Sequence, residues 1–340
     1  MPSLSIDIEC WPLKSAFTIA RGTRTEITVV VASVTDGVAT GRGECFPHVR
    51  YGENVEGVVA AMRSVEQRLA TGLSRTELLD ALPSGAARNA LDCAMWDLEV
   101  KQLRASSPQT STSDITAWQL AGLQSPPTLT TVMTISIDSP DSMAKAARQA
   151  IISGHRKLKV KLGGGDGLDI DRIDRIRAVA DDAALIVDAN EGWRACELER
   201  YMAAMADADV RMIEQPLPAA EDGILASVAR PVPIGADESC HTRQNLPELR
   251  EKYEVINIKL DKSGGLTEAL ALASEARALG FDLMVGCMLG TSLAMAPATL
   301  VAPQASYVDL DGPLWLASDR ANGLAYDSGH IGPVFPELWG

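Results

Sequence analysis

Charged side chains recur at regular intervals in the second half of the sequence, each close behind a short apolar run. The interval between one and the next is 23 to 27 residues, which is typical of one strand followed by one helix. In a barrel built from such units, the C-terminal ends of the parallel strands meet at one mouth. The spacing therefore predicts that five side chains converge on a single site: Lys161, Asp188, Glu214, Asp237 and Lys262.

The three acids of this series predict a metal site. Asp188, Glu214 and Asp237 would repel one another if they converged without a counter-ion, which raises carboxyl pKa values. A divalent cation removes the repulsion, and a ligand set of carboxylate oxygens suits Mg²⁺, with Mn²⁺ as the alternative, rather than Zn²⁺. Taken singly, each acid is better explained as a helix N-cap or a solvated turn. Their common position after LIVD, RMIE and PIGAD favours the metal site.

The lysines predict acid/base chemistry. Lys161 and Lys262 follow strands two and six of the predicted barrel, which lie opposite each other, and two bases on opposite faces of one carbon can invert it. Lys159 lies two residues before Lys161 on the same strand face and places a second ammonium group beside it. We predict all three as catalytic residues, with Lys161 and Lys262 as the acid/base pair. The alternative for KLKVK is a solvent-facing edge strand, which a closed barrel does not have.

A second acidic pair lies near the end of the chain. Asp309 and Asp311 are two residues apart in VDLDGP, on one face of the last predicted strand. Two anions beyond a metal site suit the ammonium group of a ligand. Asp311 alone is also explained as a turn residue before Gly312 and Pro313.

The elements that carry these residues alternate between β-branched runs and helical patterns. Eight such units favour an α/β fold of the (β/α)8-barrel type over an open doubly wound sheet. The predicted helices include 143–152, 170–179 and 266–279. The predicted strands are 131–137, 157–161, 184–188, 210–214, 232–236, 255–260, 281–286 and 307–310.

An α+β domain precedes the barrel. Apolar runs at 4–8, 27–34 and 39–45 predict a three-stranded meander, and helical patterns follow at 55–69 and 86–103. The composition then shifts to a polar insert at 105–114 (ASSPQTSTSD), which Ser125, Pro126 and Pro127 close. We therefore predict one domain at 1–125 that contains the insert, and a barrel at 126–325.

Composition excludes several classes of protein. The chain has 340 residues, 46% of them hydrophobic and 22% charged, unlike a disordered chain. A net charge of −14 argues against nucleic acid or an anionic membrane as the main partner. The six cysteines form no Cys-x-x-Cys pair, so we expect reduced thiols without zinc. The sequence shows no leader pattern and no spanning run, which predicts a cytoplasmic protein.

Five short motifs, in this order and spacing, resemble the muconate-lactonizing subgroup of the enolase superfamily. They are KVK at 159–161, DAN at 188–190, EQP at 214–216, GADE at 235–238 and KSGG at 262–265. The resemblance implies that 1–125 caps the barrel, that 326–340 returns to this capping domain, and that Asp188, Glu214 and Asp237 bind Mg²⁺. It also implies that Lys161 and Lys262 move protons through a metal-stabilised enediolate.

Other motifs are similar to the dipeptide epimerases of this superfamily. Gly286-Cys287-Met288, followed by DLDGP at 309–313, implies that Asp309 and Asp311 hold a substrate's α-ammonium. The stretch IARGTR at 19–24 resembles the specificity loop of L-Ala-D/L-Glu epimerases. There Arg24 would meet the glutamate side-chain carboxylate through its bidentate fork, the alternative being an exposed loop arginine. The remaining predicted substrate contacts are Thr134, Cys287 and Met288.

Two features depart from the family pattern. The insert at 105–114 is longer than usual, and Leu289-Gly290 differs from family members in the region that meets the substrate's N-terminal residue. The sequence therefore leaves the pocket for that residue open.

The expected function is that of a Mg²⁺-dependent dipeptide epimerase acting on L-Ala-D/L-Glu from recycled murein peptide. The closest alternatives share the lysines and the metal: N-acylamino-acid racemase, o-succinylbenzoate synthase and muconate cycloisomerase. A non-catalytic, metal-stabilised binding protein is the alternative of a different class. A small dipeptide is the expected partner, and assembly into a homo-oligomer is left open.

Overall fold

An antiparallel sheet opens the chain in the computed structural model, which describes residues 1–106, 115–126 and 128–340. Its strands pair in the order β1 (Ser3–Ile19), β2 (Gly22–Thr35) and β3 (Thr40–Cys45). The first two are longer than predicted because they continue into a hairpin that turns at Gly22, with a register shift between Pro12 and Phe17. The hairpin end carries residues 19–24 beyond the sheet's core and toward the barrel.

Five helices follow in this N-terminal domain: α1 (Val55–Ser64), α2 (Glu66–Ala70), α3 (Arg75–Ala81), α4 (Ala86–Ser106) and α5 (Ala117–Leu120). The helix predicted at 55–69 is divided in two at Val65. Helix α4 lies so close to β3 that a Cβ atom on Gly41 would be 2.1 Å from the carbonyl oxygen of Ala94. The glycines of β3 therefore allow the helix to seal the apolar core of the domain.

Eight parallel strands form the second domain, each hydrogen-bonded to the next in sequence order. The Val132 N–H donates to the carbonyl of Val308 at 2.9 Å, so the first and last strands also meet. The predicted barrel-type α/β fold with an N-terminal α+β domain is confirmed. The strands are β5 (Met133–Ile135), β6 (Lys157–Lys161), β7 (Ala184–Asp188), β8 (Val210–Glu214), β9 (Ile234–Ala236), β10 (Val255–Ile258), β11 (Asp282–Val285) and β12 (Tyr307–Val308).

Helices pack outside these strands, and a small apolar cluster fills the interior. They are α6 (Pro140–Ile152), α7 (Asp169–Arg177), α8 (Leu198–Asp207), α9 (Leu246–Leu249), α10 (Leu260–Ser263), α11 (Leu266–Ala278) and α12 (Ser292–Ala298). Helix α6 begins earlier than predicted because Ser139 caps it and Pro140 takes its first turn. Short 3-10 helices span Val49–Tyr51, Ala195–Glu197, Asp222–Ala226, Arg243–Asn245, Ala302–Gln304 and Gly312–Trp315.

The C-terminal residues lie against the N-terminal domain. Strands β13 (Tyr326–Asp327) and β14 (His330–Ile331) pair with β4 (Leu129–Thr130), which precedes the first barrel strand. Beyond them, the Trp339 indole donates to the carbonyl of Cys93, and the Gly340 N–H donates to Asp97.

Most of the predicted polar insert, at 107–114, lies outside the described residues. All six cysteines are free thiols. Within the described part of the chain, no helix has the length and apolar character needed to cross a membrane.

Candidate active site

Strand register brings Lys161 and the three predicted metal-binding side chains into one row. Lys161 at the end of β6 pairs with Asp188 at the end of β7, and Asp188 pairs with Glu214 at the end of β8. Asp237 follows the end of β9 directly. All three carboxylate side chains are at most 1% exposed, so the row lies at the bottom of the barrel mouth rather than on its rim.

Lys159 connects this row to the second acidic pair. Its Nζ lies 2.6 Å from Glu214 Oε2, 3.1 Å from Asp188 Oδ2 and 2.7 Å from Asp309 Oδ2. Burial alone would lower the pKa of Lys159, but the carboxylates of Asp309, Glu214 and Asp188 raise it well above its usual value. Lys159 therefore carries a positive charge between two groups of acids.

The structure places Lys262 away from the cavity that Lys159 and Lys161 line. Lys262 lies in α10, one turn beyond β10, and is 1% exposed. Its Nζ donates to the carbonyls of Asp237 and Asn257 and pairs with Asp237 Oδ1 at 2.6 Å. Lys259 instead follows β10 directly, lines the central cavity together with Lys159 and Lys161, and pairs with Asp237 Oδ2 at 2.7 Å.

Lys259 is absent from the predicted site because the predicted strand extends to Leu260 and the KSGG motif indicates Lys262. The signal that identifies Lys259 is its position directly after the apolar run VINI. Lys161 has a comparable position at the end of the β6 run.

The pKa values of the three carboxyl groups shift in different directions: that of Glu214 is raised, and those of Asp188 and Asp237 are lowered. Burial and the neighbouring charge of Asp188 raise the pKa of Glu214 to about 7, although Lys159 opposes them. Burial alone would also raise the pKa of Asp188 and Asp237, but the adjacent lysines hold both below the ordinary value. The repulsion expected among the three acids is thus concentrated on Glu214, which lies between the other two.

The donor set of the row fits a hard divalent cation. Glu214 Oε2 and Asp237 Oδ1 are buried and receive no directed hydrogen bond, although a lysine Nζ lies 2.6 Å from each. Carboxylate oxygens without a sulfur or imidazole donor suit Mg²⁺. Asp188, Glu214 and Asp237 are the residues that would hold it.

The second acidic pair forms a buried anionic pocket beside the row. Ligand atoms of Asp309, Asp311 and Cys287 all lie within 4.8 Å of one another. The backbone N–H of Thr134 donates to Asp311 Oδ2 at 2.7 Å. Burial and the charge of Asp309 raise the pKa of Asp311 to about 7. The structure therefore brings four predicted substrate-binding residues together, and Asp311 also precedes the 3-10 helix that starts at Gly312.

A cavity joins these groups and extends to the capping domain. Arg24 and Met288 line it, as predicted, together with Phe46 and His48, which the sequence reasoning did not single out. The Arg24 guanidinium lies over the Phe46 ring, 5.2 Å from its centroid. It has no carboxylate partner in the described residues, whereas Arg21 pairs with Glu238 at 2.7 Å. Arg24 is therefore the cavity-lining arginine whose charge is available to a ligand.

Two sequence-family models match the chain over most of its length. "Mandelate racemase / muconate lactonizing enzyme, N-terminal domain" covers residues 3–109, and "Enolase C-terminal domain-like" covers residues 142–333. The chain belongs to the enolase superfamily. The predicted membership is thereby confirmed, and the two matched regions correspond to the α+β domain and the barrel.

Curated relatives within the enolase superfamily act on dipeptides and on acylated amino acids. The L-Ala-D/L-Glu epimerase of Escherichia coli K12 is 49% identical over 97% of this chain and 99% of the relative. The N-acetyl-D-glutamate racemase of a Pseudoalteromonas species is 42% identical over 92% of this chain and 95% of the relative. Both names describe isomerases whose substrate contains a glutamate residue.

Solved structures of the superfamily show the same fold with dipeptides bound. An enolase family member from Agrobacterium tumefaciens with homology to dipeptide epimerases, bound to sodium and L-Ala-L-Glu, is 47% identical. It has a TM-score of 0.94 and covers 100% of both chains. A dipeptide epimerase from Enterococcus faecalis, complexed with Mg and L-Leu-L-Tyr, is 28% identical with a TM-score of 0.88, covering 97% of this chain and 96% of that one.

Proposed function

We propose that this protein is a Mg²⁺-dependent dipeptide epimerase that interconverts L-Ala-L-Glu and L-Ala-D-Glu. One observation carries the proposal: Lys161, Lys259, the Asp309–Asp311 pair and Arg24 line a single cavity. A dipeptide with a C-terminal glutamate has an ammonium group for the acidic pair and a side-chain carboxylate for the arginine. The relatives named for L-Ala-D/L-Glu and for glutamate derivatives support this choice of substrate.

Lys161 and Lys259 are the acid/base pair of the proposed reaction. Lys259 replaces Lys262, the residue that the sequence predicts for this role. They end β6 and follow β10, the second and sixth strands of eight, so they approach a central ligand from opposite sides. One lysine, in its neutral form, removes the α-proton of the C-terminal residue. The other, as an ammonium group, returns a proton to the opposite face, which inverts the carbon.

The remaining groups orient the substrate and stabilise charge. Bound Mg²⁺, held by Asp188, Glu214 and Asp237, would stabilise the negative charge that develops on the substrate's terminal carboxylate. Lys159 adds a fixed positive charge between this carboxylate site and Asp309. Asp309 and Asp311 orient the N-terminal ammonium, and Arg24 binds the glutamate side chain through a bidentate pair.

The competing functions differ in the group that occupies the acidic pocket. An N-acylamino acid has no ammonium there, and neither do the substrates of o-succinylbenzoate synthase and muconate cycloisomerase. Asp309 has Lys159 as a partner at 2.7 Å, but Asp311 forms no ion pair within the described residues and would face a neutral acyl group, which is costly. The N-acetyl-D-glutamate racemase relative makes N-acetylglutamate the most informative competitor. A non-catalytic binding protein is disfavoured because the lysines, the three acids and the acidic pair are all present.

Proton exchange in D₂O tests the proposal. The protein is incubated with Mg²⁺ and L-Ala-L-Glu, and deuterium at the α-carbon of the glutamate is followed by NMR and mass spectrometry. We expect exchange and epimerisation that are lost in Lys161→Ala and Lys259→Ala. No exchange with any dipeptide, together with racemisation of N-acetylglutamate, would overturn it. A cytoplasmic location, a role in murein peptide recycling and activity with Mn²⁺ belong to the same proposal.

A further inference from the structure

We propose that Glu44, a residue of the capping domain, positions the barrel loop at 286–291 and thereby determines which N-terminal residue the substrate can carry. This inference rests on the proposed function and concerns the part of the cavity where the sequence departs from the family pattern. Glu44 lies in β3 of the capping domain and belongs to no strand or loop of the barrel. Its role is that of a positioning residue, because it does not line the cavity.

The Glu44 carboxylate is fully enclosed between the two domains. Its side chain is 0% exposed, and it accepts hydrogen bonds from both the backbone N–H and the hydroxyl of Thr291, the former at 2.8 Å. Arg320 donates to the same carboxylate through Nη2 at 2.7 Å and Nε at 3.1 Å. The capping domain, the loop at 286–291 and the segment after the last barrel strand, which carries Arg320, therefore meet at the buried Glu44 carboxylate.

The loop that Glu44 holds has little room to move. Thr291 caps α12, since its hydroxyl accepts the N–H of Leu293. A Cβ atom on Gly290 would lie 3.1 Å from Glu44 Oε1. On the opposite side, a Cβ atom on Gly312 would lie 3.2 Å from the Met288 carbonyl and 3.3 Å from the Gly290 nitrogen. The loop is thus packed between Glu44 and the residue that follows Asp311.

This position links Glu44 to one part of the substrate. Cys287, Met288 and Leu289 line the cavity, and ligand atoms of Cys287, Asp309 and Asp311 cluster within 4.8 Å. Met288 and Leu289 also pack on an apolar cluster that includes Phe46 of the capping domain. The loop therefore forms the wall beside the proposed ammonium pocket, where the side chain of the N-terminal residue must fit.

The alternative is that Glu44 merely stabilises the contact between domains. Asp97 provides a matched control, because it is another enclosed carboxylate of the capping domain with a basic partner. It accepts the N–H groups of Arg42 and Gly340, both at 2.8 Å, and pairs with Lys101 at 2.8 Å. Asp97→Asn removes a comparable charge and leaves the loop's contacts intact.

Kinetics of the wild type, Glu44→Gln and Asp97→Asn provide the test. The substrates are L-Ala-L-Glu, dipeptides with larger N-terminal residues before Glu, and Ala dipeptides with other C-terminal residues. For Glu44→Gln we expect KM for L-Ala-L-Glu to rise about tenfold with kcat within about threefold, because a hydrogen bond to a charged group is lost away from the reacting carbon. We also expect weaker discrimination among N-terminal residues and unchanged discrimination among C-terminal residues. Asp97→Asn should change neither the KM for L-Ala-L-Glu nor the discrimination among N-terminal residues.

Hydrogen exchange gives a second measurement that does not depend on the proposed function. Amide exchange measured by mass spectrometry should accelerate in peptides covering 286–291 in Glu44→Gln and not in Asp97→Asn. If Glu44→Gln does not fold, Thr291→Val, which removes only the hydroxyl group, provides the alternative variant. It should likewise raise the KM for L-Ala-L-Glu and accelerate amide exchange at 286–291. Equal behaviour of the Glu44 and Asp97 variants, or a loss that falls on kcat for every dipeptide, would overturn the inference. A wild type inactive on all dipeptides would instead overturn the proposed function.

Discussion

Lys259 and Lys262 bind the two oxygens of the same carboxylate: Lys259 Nζ lies 2.7 Å from Asp237 Oδ2, and Lys262 Nζ lies 2.6 Å from Asp237 Oδ1. Only Lys259 of the two lines the central cavity. Lys262 donates its other hydrogen bonds to the backbone carbonyls of Asp237 and Asn257. Two lysines three residues apart therefore have different surroundings: Lys259 faces the cavity, and Lys262 is enclosed behind Asp237.

This relationship predicts different consequences for the two lysines. Lys259→Ala should lower kcat for epimerisation about 10³-fold, the loss typical of a general acid/base. Lys262→Met should lose only about 10- to 100-fold, as for a group that orients a ligand-binding side chain. Steady-state kinetics measure both, with circular dichroism as the folding control. A folded Lys262→Met protein as inactive as Lys259→Ala would return the catalytic role to Lys262.

Arg24 is expected to select the C-terminal residue of the substrate. Arg24→Ala should lower kcat/KM for L-Ala-L-Glu about 100-fold, because a charge-assisted bidentate pair is lost. The same variant should change kcat/KM for a dipeptide with an apolar C-terminal residue by no more than about threefold. Arg24→Lys keeps the charge without the planar fork, so its kcat/KM for L-Ala-L-Glu should lie between those of the wild type and Arg24→Ala. An unchanged preference for glutamate would remove Arg24 from the specificity role.

The acidic pocket distinguishes a dipeptide from an N-acylamino acid. Asp309→Asn is expected to lower kcat/KM for L-Ala-L-Glu about 100-fold, because the substrate ammonium loses a charged partner in a buried site. Activity on N-acetylglutamate should stay constant or rise, since that compound has no ammonium group. Parallel losses on both compounds would show that Asp309 acts through Lys159, its partner at 2.7 Å, rather than on the substrate.

Metal removal should abolish activity without unfolding the protein. The three carboxylates each have a lysine partner at 2.6 or 2.7 Å, so their charges are balanced by the chain itself. Chelation is expected to eliminate turnover and leave the circular dichroism spectrum intact. The free energy of unfolding should fall by about 3 kcal/mol or less if Mg²⁺ was present at 100 times its Kd. Unfolding on addition of a chelator would contradict this prediction, and restored activity with added Mg²⁺ is its control.

Asp92 should make stability depend on pH. Burial raises the pKa of its carboxyl from 3.8 to about 6, although Thr267 donates to it from both N–H and hydroxyl. The folded state therefore holds this proton more tightly than the unfolded state. Its stabilising effect is complete below pH 3.8 and is lost as pH rises through about 6.

Urea denaturation of the wild type and Asp92→Asn between pH 4 and pH 7 measures this effect. The difference between a pKa of 3.8 and about 6 corresponds to about 3 kcal/mol. The wild type should lose about that much stability relative to Asp92→Asn as the pH rises. A constant difference between the two proteins over this range would show that Asp92 does not titrate as the structure indicates.

Strand positions were largely predictable, and so were the acids that follow them. β6, β7 and β8 span the predicted residues because each apolar run ends at a charged residue that faces the barrel mouth. The short β5 and β12 end earlier than their apolar patterns. The Thr134 N–H within β5 donates to Asp311 beyond β12, a contact between the two ends of the barrel domain that periodicity does not report.

The sequence by itself determines the fold class and the three carboxylates of the row, because strand period and repeated βα length are local properties of the chain. Its short motifs indicate the family. Tertiary structure decides the rest: that Lys259 rather than Lys262 faces the ligand, that Arg24 rather than Arg21 is free of a carboxylate, and that Glu44 reaches Thr291. Each of these depends on where a strand ends or on which distant residue competes for a charge. Such contacts between remote segments are settled only when the two domains pack together.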